Sequence, residues 1–209
     1  MIRWMVSKRG RLLLFTAGAI ILLTGAAVLG ISWWSRGPGL DAEANRLASL
    51  LELRPGTTVA DIGAGQGRMA VRLAQRLGPS GRLYATEIEA GKLAAIRNAA
   101  AAAGVTNVVV IEGDERSTRL PDACCDAIYL RRVYHHLGDA AAINNSLRSA
   151  LRPGGRLAVI DFLSPRWMFF LHHGVPASVV IEQVTAGGFI LERRIERWSL
   201  VDYCLVFRK

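Results

Sequence analysis

The sequence predicts an α/β fold: a seven-stranded, mostly parallel sheet that ends in an antiparallel hairpin, preceded by one long apolar helix. Three observations predict it. Apolar strand-like runs alternate with helical stretches from residue 41 to residue 186, the order that builds a parallel sheet covered by helices on both faces. Residues 59–67 read Val-Ala-Asp-Ile-Gly-Ala-Gly-Gln-Gly, an apolar strand that ends in an acid and runs into three glycines at every second position. The last two segments, 189–197 and 201–208, are rich in β-branched, aromatic and alternating residues with no helix between them, as a hairpin would be.

The elements follow in order. Residues 41–52 read as a helix with Asp41 as its N-cap. Strand 57–62 leads through the glycines into helix 66–77. Strand 82–87 precedes the alanine-rich helix 89–103, which stops at Gly104, the residue best suited to a left-handed helix end. Strands 107–112 and 126–131 come next, then helix 139–150. The turn Pro153-Gly154-Gly155 feeds strand 156–161, and helix 176–186 ends at Gly187-Gly188. Ligands of such sheets bind outside the carboxyl ends of the strands, where the strand order reverses.

With 209 residues, 51% of them hydrophobic, the chain is long enough for one domain with an additional segment and too apolar for disorder. Residues 12–35 carry no charge and are flanked by Trp4 and by Trp33-Trp34. About 20 helical residues cross a bilayer core, so this stretch reads as a transmembrane helix or a long signal sequence. The apolar run past Ala27 to Ile31 favours a retained anchor, giving residues 1–36 as a basic membrane segment, Gly37-Pro38-Gly39 as a linker, and 40–209 as the second domain. Arg3, Lys8, Arg9 and Arg11 before the span outweigh Arg36 and Arg46 after it, which places the body of the protein on the far side of the membrane. The formal charge of +9 is almost all arginine, scattered or at the chain ends. That pattern argues against a nucleic-acid surface, which wants a basic stripe with interleaved aromatics. Cys124, Cys125 and Cys204 have neither zinc spacing nor an even count, and read as small buried apolar residues.

The glycine loop admits three ligands in principle. A dinucleotide fingerprint places its third small residue at the sixth position, which here is Arg68. A phosphate-binding P-loop needs Gly-Lys-Ser/Thr, and Gly67 is followed by Arg68-Met69. The third reading comes from a resemblance. Asp61-Ile62-Gly63-Ala64-Gly65-Gln66-Gly67 resembles the first motif of class I S-adenosylmethionine-dependent methyltransferases, and the likeness runs in order through most of residues 40–209. Glu87 ends the next strand 20 residues past Gly67, Gly113-Asp114 follows the third, Val133-Tyr134-His135-His136-Leu137 follows the fourth, and Arg152-Pro153-Gly154-Gly155-Arg156-Leu157 turns into the fifth.

The resemblance implies a Rossmann-like sheet and S-adenosylmethionine as cofactor. It implies that Gly63, Ala64, Gly65 and Gly67 bring backbone N–H groups to the methionine carboxylate at a helix N-terminus, and that Asp61 holds the methionine ammonium. Glu87 would accept from the ribose hydroxyls, since a carboxylate only accepts and takes two donors. Ile88 and Arg131 would line the cofactor, and Asp114 would meet the adenine amino group.

Methyl transfer to oxygen or nitrogen releases a proton, so a base helps. Tyr134, His135 and His136 would stand at the mouth of the site, His135 and His136 either as that base or packed at a helix start. Arg131-Arg132 would suit an anionic acceptor group. Residues 164–174, with Trp167, Met168, Phe169 and Phe170, fall where the family varies its acceptor lid; His172-His173 has no carboxylates nearby in sequence, so no metal is expected.

These readings give a membrane-tethered methyltransferase acting on a small or lipid-like molecule, at oxygen or nitrogen rather than carbon. A cofactor-binding protein without transfer activity and an NAD-dependent oxidoreductase are the alternatives. The methyl donor is made in the cytosol, which favours a cytoplasmic domain against the charge rule.

Overall fold

The computed structural model describes residues 38–163 and 174–209. The apolar stretch 12–35 and most of the aromatic segment after the fifth strand lie outside the described residues. Among the described residues no helix is long and apolar enough to cross a membrane. The sheet belongs to the compact unit Ala44–Lys209.

The first helix, α1 (Pro38–Leu50), starts earlier than expected. Proline suits that start because a first-turn N–H has no intrahelical partner anyway. Asp41 therefore sits in the first turn, where its charge meets the positive end of the helix dipole, and is not the N-cap. The remaining elements alternate: β1 (Thr58–Ile62), α2 (Arg68–Leu77), β2 (Arg82–Glu87), α3 (Ala90–Ala102), β3 (Val108–Glu112), β4 (Cys125–Arg131), a 3-10 turn (Tyr134–His136), α4 (Ala140–Ala150), β5 (Leu151–Phe162), α5 (Ala177–Ala186), β6 (Ile190–Ile195) and β7 (Asp202–Arg208). Helix α2 shows why periodicity is legible here: Met69, Ala70, Val71, Leu73, Ala74 and Leu77 form its buried face at helical spacing. Helix α4 is capped by Asp139, whose Oδ1 accepts from the Ala142 N–H at 2.9 Å, the usual way to satisfy a first-turn donor.

The seven strands form one sheet in the order β3-β2-β1-β4-β5-β7-β6. Strands β3 to β5 pair in parallel; β7 runs antiparallel between β5 and β6. The C-terminal hairpin is thus present, with its second strand inside the sheet and its first at the edge. The order reverses at β1, with β2 on one side and β4 on the other, so the crevice at the top of β1 is the switch point. Strand β5 is longer than expected, because Pro153-Gly154-Gly155 is taken up as an irregularity within it: Cys125 faces Leu151, and Ala127 already faces Arg156. Gly154 takes φ 77° to allow this. The core runs under the sheet through Ile128, Leu130, Leu147, Leu157, Val159, Leu205 and Phe207. Cys125 and Cys204 are buried, Cys124 partly so, and all three are free thiols.

Candidate active site

The glycine loop leaves β1 at the switch point, and its glycines do different work. Gly63 (φ +68°) lies against the next turn of chain: a Cβ there would stand 2.5 and 2.9 Å from the two methyls of Val133. Gly67 (φ +75°) lets α3 approach, with the Ile96 Cα 3.1 Å from where a Cβ would be. The close contact thus falls on Gly67 and not on Arg68, which is exposed and bonds Gln66. Gly65 (φ +57°) has nothing within 4 Å on that side, so its face is open to a ligand.

The loop N–H groups do not all point outward as expected. Those of Gly63 and Ala64 both donate to the Thr86 carbonyl at 3.0 Å, and Gly67 donates to Ala64. Gly65 donates to Glu87 Oε2 at 3.0 Å. The loop is therefore shaped by its own bonds to β2. At the start of α2 Gly67 offers no side chain to cap the first turn, which leaves those donors to a ligand or water.

Asp61 lies in register between Ala85 of β2 and Tyr129 of β4 and is buried. Burial pushes its carboxyl up to about 7, against the pull of the Tyr129 hydroxyl and the Arg131 guanidinium, with Glu87 adding to the rise. Desolvation disfavours the charged form, so a cationic group placed against this acid would favour its ionised state. Glu87 closes β2; its second oxygen accepts from the Ile88 N–H at 2.9 Å. Ile88 is 54% exposed beside it, a bare apolar surface next to a buried acid. Strand β3 joins this edge through the Gly113 N–H, which donates to the Glu87 carbonyl. Asp114 shapes its own turn: Oδ1 accepts from the Arg116 and Ser117 N–H groups, and Oδ2 pairs with Arg119. These donors hold its carboxyl below the usual range. Arg131, at the end of β4, is half-buried and contributes to the site through its field at Asp61.

The segment after β4 carries the second half of the site. His135 Nδ1 is 2.7 Å from Asp161 Oδ1, and its backbone N–H donates to Asp161 Oδ2 at 3.0 Å. The Phe162 N–H gives Asp161 a third donor at 2.7 Å. Asp161 is fully buried at the end of β5. An ionised Asp161 would only accept, which would place the imidazole proton on Nδ1 and leave Nε2 its lone pair. His136 is exposed, its ring centroid 3.9 Å from that of His135.

Two expectations fail here. Tyr134 is not at the mouth of the site: its side chain is in the core and its hydroxyl accepts from Asn144 Nδ2 at 2.9 Å. In a 3-10 turn successive side chains diverge by about a third of a circle, so the turn that points His135 at Asp161 sends Tyr134 into the core; the His135 side chain is itself only 6% exposed, set back from the mouth where it was expected. Arg132 does not await an anionic acceptor: its Nε and Nη2 pair with both oxygens of buried Asp202, at 2.9 and 2.8 Å.

Asp161 and Asp202 were not singled out in the sequence. Asp161 had a signal, since Val159-Ile160-Asp161 repeats the pattern of an apolar strand ending in an acid that flags Asp61. Asp202 had none, because only the antiparallel insertion of β7 brings it beside Phe162.

A buried acid (Asp61), an open glycine face (Gly65), an acceptor (Glu87), an exposed apolar surface (Ile88) and an uncapped helix start gather at the carboxyl ends of the neighbouring strands β1 and β2. That set fits a ligand with an ammonium, a carboxylate, vicinal hydroxyls and a flat ring, as S-adenosylmethionine has. Val133 on Gly63 places the His135 turn beside it.

Comparison with known proteins agrees. The chain is 34% identical over 120 residues to the 27-O-demethylrifamycin SV methyltransferase of Amycolatopsis mediterranei, covering 57% of this chain and 43% of that protein. It is 28% identical over 114 residues to a ubiquinone/menaquinone biosynthesis C-methyltransferase of Hahella chejuensis, covering 54% of this chain and 46% of that protein. The chain thus spans less than half the length of these relatives. Its fold is similar to the crystal structure of a SAM dependent methyltransferase from Aquifex aeolicus, with a TM-score of 0.71 at 21% identity over 79% of this chain and 88% of that one. Residues 59–155, from β1 to the glycine turn within β5, match the methyltransferase domain family, and the cofactor this implies is S-adenosylmethionine.

Proposed function

We propose that this protein transfers a methyl group from S-adenosylmethionine to an oxygen or nitrogen of a small or lipid-like acceptor, with His135 taking the acceptor's proton. The observation that carries the reading is the His135–Asp161 pair at 2.7 Å, set on a turn that packs against Gly63 of the cofactor loop. The bound cofactor supplies an electrophilic methyl carbon on a sulfonium; the protein's part is to bind, orient and manage the proton.

Asp61 would pair with the methionine ammonium, and the first turn of α2 would receive its carboxylate. Glu87 would exchange its loop donors for ribose hydroxyls, Ile88 would cover the adenine, and Asp114 would meet the adenine amino group from its turn. Asp161 keeps the His135 proton on Nδ1 and stabilises the imidazolium formed when Nε2 accepts a proton. The names of the two relatives, one for 27-O-demethylrifamycin SV and one for ubiquinone/menaquinone biosynthesis, support a small-molecule or lipid-like acceptor as the class to test first. With Arg132 committed to Asp202, an anionic acceptor group would rest on Arg131 alone. Residues 12–35 would tether the protein to a membrane, with the domain on the cytoplasmic side where the cofactor is made; a reporter fused after Lys209 tests that placement.

The deciding experiment is calorimetry with S-adenosylhomocysteine and with NAD, followed by transfer of a labelled methyl group into a lipid extract. Binding of the first and not the second is expected. His135→Ala should slow transfer by roughly 10²- to 10⁴-fold, the usual worth of a positioned base, with S-adenosylhomocysteine affinity unchanged. Absence of S-adenosylhomocysteine binding would overturn the reading, and binding without transfer to any acceptor would favour the binding-protein alternative.

A further inference from the structure

The turn that carries His135 begins in an unusual way. Arg132 has φ 57°, a left-handed conformation that side chains other than glycine seldom adopt. Three contacts hold it there. Its backbone N–H donates to the Ile160 carbonyl at 2.7 Å. Its guanidinium pairs fork-to-fork with Asp202, at 2.9 and 2.8 Å, and lies over the Phe162 ring, 4.9 Å from its centroid. Asp202 is itself fixed, 1% exposed, and accepts from the Ser199 hydroxyl at 2.6 Å.

Phe162 connects this arrangement to the base. It packs against Arg132 and, with ring centroids 5.4 Å apart, against His135. Asp161 and Asp202 flank it, one before it on β5 and one directly across on β7. Each of these buried carboxylates grips one end of the same short turn: Asp202 takes Arg132 and Asp161 takes His135. A bidentate guanidinium–carboxylate pair fixes direction as well as distance, so the first grip sets where the turn starts and the second where the imidazole ends.

We infer that Asp202 is a positioning residue: through Arg132 it fixes the turn that presents His135 to Asp161. The inference rests on the reading of His135 as proton acceptor. It gives the C-terminal hairpin, which lies outside the matched segment 59–155, a part in the reaction. Phe162 passes the constraint between the two ends.

The test is Asp202→Asn in the full chain, read by the proton resonance of the His135 Nδ1–H and by kinetics. A histidine N–H held by a buried carboxylate exchanges slowly enough to be seen far downfield; a loosened one does not. The expected result is loss of that resonance and at least a tenfold fall in kcat, with KM for the cofactor and S-adenosylhomocysteine affinity within twofold of the original. A variant that keeps the resonance and kcat overturns the inference. Should Asp202→Asn not fold because it leaves Arg132 without its full partner, Arg132→Gly/Asp202→Asn removes both the charge and the left-handed strain. That double variant should fold and lack the resonance; a normal resonance there refutes the clamp. The resonance needs no acceptor, so it tests the clamp separately from transfer: its loss in Asp202→Asn upholds the positioning of His135 even where the original protein binds S-adenosylhomocysteine but transfers no methyl group, the outcome that favours the binding-protein alternative.

Discussion

Gly63 and Gly65 are two residues apart, both at positive φ, and should respond differently to the same added methyl. At Gly63 an alanine meets two penalties. The left-handed backbone costs an L-residue about 1–2 kcal/mol. Its Cβ, 2.5 and 2.9 Å from the Val133 methyls, forces overpacking worth about 1–3 kcal/mol. The sum is roughly 2–5 kcal/mol, a large part of the ~5–15 kcal/mol that holds a domain folded. At Gly65 only the backbone penalty of about 1–2 kcal/mol applies, because nothing lies within 4 Å. There the methyl occupies the open face assigned to the cofactor. Urea unfolding should therefore show Gly63→Ala as the less stable variant by about 1–3 kcal/mol, and calorimetry should show Gly65→Ala losing S-adenosylhomocysteine affinity. Val133→Ala combined with Gly63→Ala should recover the packing part and leave the backbone part. Equal destabilisation by the two alanines would refute the Val133 contact; undiminished ligand affinity in Gly65→Ala would refute the open face as the cofactor's.

Two more predictions concern single side chains. The Asp61 carboxyl is raised from 3.8 to about 7 in the fold, so the stability it contributes is complete below pH 3.8 and is lost as pH rises through 7. That loss is about 4 kcal/mol at ~1.4 kcal/mol per unit; Asp61→Asn should flatten the profile and be the more stable unliganded protein at pH 8 by up to that amount. Cofactor affinity should move the other way, rising with pH towards 7 as the carboxylate ionises and staying weak and flat in Asp61→Asn; calorimetry at several pH values checks both signs. Tyr134→Phe should cost about 0.5–1.5 kcal/mol for the lost bond with Asn144 and leave methyl transfer intact; a kinetic defect larger than tenfold with normal stability would return Tyr134 to the site.

Much of this protein was legible in its residues. Strand and helix periodicity placed the alternating elements other than the start of β5 to within a few residues, because buried parallel strands and amphipathic helices leave strong local patterns. The glycine spacing and the acids at the ends of β1 and β2 pointed to one kind of ligand, because close backbone approach and acceptor-only side chains are requirements of residue type. The same signals placed His135 near the site without telling a base from a packed ring.

Tertiary structure decided what sequence spacing cannot express. Tyr134, His135 and His136 are equivalent as a string, and the 3-10 turn alone sends the first into the core and offers the second to Asp161. Arg131 and Arg132 are equally basic, and a left-handed backbone commits the second to Asp202, 70 residues away. Asp161 precedes Phe162 on β5 and meets His135 across the sheet end, and the antiparallel insertion of β7 beside β5 brings Asp202 opposite the same phenylalanine. Local chemistry is written in residue type and period. The pairing of charges across strands depends on sheet order and register, and those are properties of the folded chain as a whole.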